Sequence, residues 1–115
     1  MPAQVLNLVG EYKVEQGADY ILEVTVNDAD GDPYSLVGAS AAAQIRETID
    51  AVPKIEFVCV VDEATSVITL SLTAVITAGI DYTEGFWDCE LTEADGVVTR
   101  LLYGDVDISP EVTRA

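Results

Sequence analysis

Carboxylates are the side chains with which this sequence could do chemistry. The string Asp28-Ala29-Asp30-Gly31-Asp32 offers hard oxygen donors at alternate positions ahead of a glycine turn, the pattern by which calcium loops gather ligands. Asp28, Asp30 and Asp32 are therefore the metal-ligand candidates. An EF-hand needs a glutamate farther along a following helix, and Pro33-Tyr34-Ser35-Leu36 stands there instead, so the string reads more simply as a solvated turn that reverses a strand. A second set, Asp88 and Glu90 on one strand face, is placed to sit across from Asp105 or Asp107 as an acid–base pair. The plainer reading is an acidic outer sheet face that keeps strand edges from pairing.

The chain contains no histidine. That removes the ordinary general base near neutral pH, the Ser-His and Cys-His nucleophile pairs, and imidazole ligation of zinc. Gly31, Gly38, Gly79, Gly85, Gly96 and Gly104 stand singly, so no glycine-rich phosphate loop is present. The expectation is a protein without catalytic residues and without a cofactor. Cys59 and Cys89 are too few for a disulfide framework and read as reduced, inward-facing thiols.

Charge narrows the partners. Of 115 residues, 21 are acidic and 5 basic, giving a net charge of −16. The basic residues Lys13, Arg46, Lys54, Arg100 and Arg114 are scattered singly among acids, which disfavours nucleic acid and anionic membrane surfaces. An apolar content of 50% is too high for a disordered acidic tail, so the charge decorates a folded body. The opening Met1–Gly17 has no basic region followed by an uninterrupted apolar run, and the expectation is a protein made in the cytoplasm without a signal peptide. What remains is protein–protein contact. Tyr82, Phe86 and Tyr103 fall near one late hairpin and form either scattered half-buried aromatics or a docking patch. The chain ends, Met1–Leu8 and Ser109–Ala115, are expected to dock on a neighbouring strand, copy or partner, with Val112 and Arg114 as contact candidates.

The elements that must position these residues have a period of two. Tyr20, Leu22, Val24 and Val26 alternate with Glu23, Thr25 and Asn27, the mark of a half-buried strand. Ala39–Glu47 alternates Ala41, Ala43 and Ile45 with Ala42, Gln44 and Arg46. Lys54–Val61 and Ser66–Leu72 read as a hairpin, with Ile55, Phe57, Cys59 and Val61 inward against Ile68, Leu70 and Leu72. Thr73 caps one short helical turn that Gly79 ends. Glu84–Thr92 and Val97–Ile108 complete the set, the latter with Gly104 as a bulge, and a further strand is expected near Val5–Val14. About seven short strands without a long helix predict one domain over residues 1–115, an all-β antiparallel sandwich. Tyr20, Leu22, Val24, Phe57, Leu70, Trp87 and Leu91 share a parity that makes them its core.

The order of motifs resembles that of a known family. The run from Val24-Thr25-Val26-Asn27 through Asp28–Asp32 to Pro33, Leu36 and Gly38 resembles the strand, acidic glycine turn, proline, leucine and glycine segment of small structural proteins of tailed bacteriophages. Ala43-Gln44-Ile45-Arg46, Thr77–Ile80 leading to Gly85–Leu91, Asp95–Val106 and the closing Pro110–Arg114 follow in the same order, so the likeness spans about Gly17 to Arg114. These are immunoglobulin-like virion proteins, similar to the N-terminal module of baseplate upper proteins and to stand-alone decoration domains. The resemblance implies an immunoglobulin-like sandwich without catalytic residues, located in the virion. It implies docking on other virion proteins of capsid, neck or tail, in several copies or as a homo-oligomer, as a decoration, cement or adaptor domain. A baseplate or fibre-attachment module with a host-binding role, and a calcium-dependent binding module, are the alternatives.

Overall fold

The computed structural model describes residues 3–50 and 54–112. In chain order they form β1 (Gln4–Val5), a 3-10 turn (Gly10–Tyr12), β2 (Val14–Glu15), β3 (Tyr20–Thr25), β4 (Ser40–Arg46), β5 (Ile55–Glu56), β6 (Val58–Asp62), β7 (Val67–Leu72), α1 (Ala74–Ala78), β8 (Glu84–Thr92) and β9 (Val98–Ser109). Two sheets face each other as an immunoglobulin-like sandwich. The larger has the order β1-β9-β8-β4-β5, with β2 also on β9, and the smaller is β3-β7-β6.

Nine strand segments resolve into seven strands by a physical count. β5 and β6 are one strand that changes sheets at Phe57: Ile55 and Glu56 pair with β4, while Val58–Asp62 pair with β7. The expected hairpin therefore exists from Val58 onward, with Cys59 opposite Leu70 and Val61 opposite Ile68, but its first residues belong to the other layer. β1 and β2 are likewise one N-terminal strand broken by the 3-10 turn. They run parallel to β9, with Gln4 opposite Leu102 and Val14 opposite Ile108, so this strand departs from an all-antiparallel arrangement.

Gly104 is not a bulge. The register of β8 on β9 shifts between Cys89, opposite Leu102, and Glu90, opposite Arg100, which leaves Leu101 as the extra residue. At Gly104 the N-terminal strand comes close instead: a Cβ there would lie 2.5 Å from the Leu6 carbonyl oxygen and 2.7 Å from Asn7 Oδ1. Asn7 Oδ1 accepts from the Asp105 N–H at 3.0 Å, and the N–H groups of Leu6 and Leu8 donate to the carbonyls of Tyr103 and Asp105. The absence of a side chain on Gly104 is what lets this strand seat.

The core between the sheets buries six of the seven expected residues. Val24 is half-buried at its margin. Tyr20, Phe57 and Trp87 form an aromatic row with ring centroids 6.1 and 6.2 Å apart in tilted and edge-on geometry. Leu8 and Val14 from the N-terminal strand, and Val106 and Ile108 from β9, extend the core to one end. α1 closes that end. Thr73 caps it by accepting from the Ile76 N–H at 3.4 Å, and buried Thr77 donates from Oγ1 to the Ala18 carbonyl at 2.8 Å. Cys89 is buried and Cys59 half-buried, both as free thiols. Burial pushes the Cys89 thiol up to about 12, with Cys59, Asp88 and Glu90 adding to it.

Candidate functional site

The carboxylate string is used locally. Asp28 Oδ1 accepts from the N–H groups of Asp30 at 2.9 Å and Asp32 at 3.0 Å, its own N–H donates to the Asp32 carbonyl, and Gly31 sits at φ +84°. This is an Asx turn, in which the first side chain replaces a backbone partner. Among the described residues no three His, Cys, Asp or Glu side chains converge to hold a metal ion.

The second carboxylate set is arranged otherwise than the spacing suggested. The register that runs from the turn puts Glu90 opposite Arg100, and the extra residue at Leu101 then sets Asp88 opposite Tyr103 instead of Leu102, so neither carboxylate lies across from Asp105 or Asp107. Arg100 Nε approaches Asp88 Oδ2 at 3.5 Å while its guanidinium lies 4.4 Å from the Tyr103 ring centroid. On this face the Arg100 cation is held between a carboxylate and an aromatic ring.

Strand alternation places Arg46, Phe86 and Asp105 in one row across the outer face of β4-β8-β9, and Gln44, Asp88 and Tyr103 in the next. Phe86 is 43% exposed although the pattern of β8 buries its neighbours Gly85 and Trp87. Its ring borders two open depressions. One, of about 740 Å³, is acidic, with Glu47, Asp81, Glu84, Asp105 and Asp107 on its walls. The other, of about 680 Å³, is mixed: Arg46 and Arg100 stand there with Asp50, Asp88, Glu90 and the exposed Ile49. Arg46 donates to Gln44 Oε1 at 3.2 Å, and Gln44 donates to Glu56 at 3.3 Å, which orders the floor of this second depression.

Of the five partner-contact candidates, Phe86 and Tyr103 share this face. Tyr82 lines the acidic depression as a half-buried ring; its hydroxyl has no hydrogen-bond partner among the described residues, and burial, then Glu47 and Asp81, raise its pKa. Val112 is 97% exposed and stands apart, and Arg114 lies outside the described residues. Arg46 and Ile49 were missed. The parity of β4, which turns Arg46 away from buried Ile45, is the signal that could have found the first. Nothing local marks the second.

No family model matches the chain, and no curated protein matches it. Among solved structures the chain is similar to an internalin-like protein of Listeria monocytogenes, with 14% identity and a TM-score of 0.42, over 96% of this chain and 28% of that one. The chain thus spans little more than a quarter of that protein's length.

Proposed function

We propose that this domain is a non-enzymatic accessory protein of a bacteriophage particle, one that docks on capsid, neck or tail proteins as a decoration, cement or adaptor domain. The ordered likeness to small virion proteins supports the phage setting. The observation that carries the docking role is the position of Phe86, an exposed aromatic on a regular strand, between an acidic and a mixed-charge depression. Aromatic anchors supply most of the energy of such interfaces, and the charged surround supplies orientation and rate. A strand-borne anchor is held by the sheet on both sides, so little conformational freedom is lost on docking.

With −16 charges, copies repel one another, so attachment in several copies needs a receiving surface that carries positive charge. Adding purified protein back to particles that lack it tests the reading. Occupancy should be saturable and should weaken as salt rises, and Phe86→Ala should reduce it by about tenfold or more. Binding indifferent to Phe86→Ala, or no binding to particles, contradicts the proposed role.

A further inference from the structure

A second surface lies on the opposite sheet. β3 ends that sheet, and its six residues pair with β7 in unbroken register, Tyr20 opposite Leu72 through Thr25 opposite Val67. The Val26 N–H continues the ladder by donating to Ser66 at 2.9 Å. In antiparallel pairing the residues that exchange bonds alternate. Tyr20, Leu22 and Val24 therefore bond to β7, and the backbone N–H and C=O groups of Ile21, Glu23 and Thr25 point away from the sheet. All three of these residues are exposed, Ile21 by 68%. The chain's own first strand does not fill this edge, because β1 and β2 lie on β9 in the other sheet.

Edges are normally blunted by lysine, proline, a bulge or brevity. Of the other edges, β5 has two residues and the N-terminal strand is interrupted by its 3-10 turn, whereas β6, on the far side of the same sheet, is shorter than β3 at five residues and ends on Asp62. β3 has none of these devices except the charge of Glu23. We propose that the β3 edge is a strand-addition site for an extended protein segment that alternates apolar β-branched residues with lysine or arginine.

Two observations define that occupant. The three strands of this sheet contain no Lys or Arg, and their charges, Glu23 and Asp62, are both acidic. A residue directly opposite Glu23 would share its outer face, where a basic side chain is favoured and a like charge is not. A second copy's β3 meets this obstacle, since the register centred on Glu23 sets two glutamates against each other. The alternate side chains of an added strand would point inward. There a depression of about 190 Å³ opens between β3 and the edge of the larger sheet: Val24, Val26, Leu101 and Leu102 give an apolar wall for such side chains, and Gln4, Thr25, Asn27 and Asp28 a polar rim.

A short synthetic peptide alternating valine and lysine, blocked at both ends, is the probe, and amide exchange of the full chain is the readout. The peptide should slow exchange at Ile21, Glu23 and Thr25 by about tenfold or more. Glu23→Pro removes an N–H that β7 does not use, so the ladder should stay protected while peptide affinity falls by about tenfold or more. Equal affinity for Glu23→Pro, or protection confined to other strands, overturns the proposal. Should Glu23→Pro fail to fold, Glu23→Lys decides: the chain should then prefer a valine–glutamate peptide, and an unchanged preference for valine–lysine overturns it.

Discussion

The indole N–H of Trp87 donates to the Leu6 carbonyl at 2.7 Å, a bond across 81 positions of sequence that ties the aromatic core to the N-terminal strand. A buried tryptophan must place its one donor somewhere. Here the acceptor lies on the strand that Gly104 admits. Trp87→Ala should cost about 3–5 kcal/mol in urea unfolding, and Trp87→Phe, which keeps a ring but loses the donor, about 1–3 kcal/mol. A loss under about 1 kcal/mol for Trp87→Ala would contradict the core assignment.

Gly104→Ala tests the seating of the same strand from the other side. The new methyl would meet the Leu6 carbonyl and Asn7 Oδ1 within 2.7 Å, so β1 must shift. The expected cost is about 1–3 kcal/mol, with faster amide exchange at Leu6 and Leu8 and unchanged exchange in β7. Unaltered exchange at Leu6 and Leu8 would show that the strand has room to spare.

Much of the sandwich was legible because its cause is local. The alternation of Tyr20, Leu22 and Val24, or of Trp87, Cys89 and Leu91, needs only a period of two and one buried face, and the burial follows it. What was not legible is set by contacts far apart in sequence. Phe57 ends one pairing and begins another with no break in its strand's parity, so nothing local marks the change of sheet. The extra residue at Leu101 looks like any other leucine, yet it turns Asp88 from Leu102 to Tyr103, while the turn register alone puts Glu90 opposite Arg100 and away from the carboxylates of β9. Gly104 carried a signal, but a glycine in a strand marks either a bulge or a close approach, and only the path of the N-terminal strand decides between them.

Alkali should destabilise the fold through two buried groups. The Cys89 thiol is raised by burial from 9.0 to about 12, and the Tyr20 hydroxyl, also buried and donating to the Tyr12 carbonyl, from 10.0 to about 12. Between the unfolded and folded values the unfolded chain has released these protons and the folded chain has kept them. Stability is therefore full below about pH 9 and falls as pH rises toward 12. Cys89→Ala should lower stability at pH 7 yet flatten this slope in denaturant titrations; an unchanged slope would contradict the assignment. Alkylation without reductant should label both cysteines after denaturation, and Cys89 far more slowly in the native state.

Calcium should leave the protein unchanged, because Asp28 Oδ1 is already engaged by two backbone N–H groups. A site holding calcium at a hundredfold excess over its Kd would add about 2.7 kcal/mol. Melting curves with and without calcium should superimpose. Asp28→Ala should instead cost on the order of 1 kcal/mol through loss of the turn, and a calcium-dependent rise in Tm would return Asp28, Asp30 and Asp32 to consideration as ligands.

The proposed docking role is tested most directly by quantitative mass spectrometry of purified phage particles assembled in the presence of this chain, wild type beside Phe86→Asp. The account predicts the wild-type chain at a fixed copy number per particle and a large reduction for Phe86→Asp, with the variant still folded and abundant in the lysate. A chain absent from wild-type particles, or Phe86→Asp present at the wild-type copy number, would contradict it.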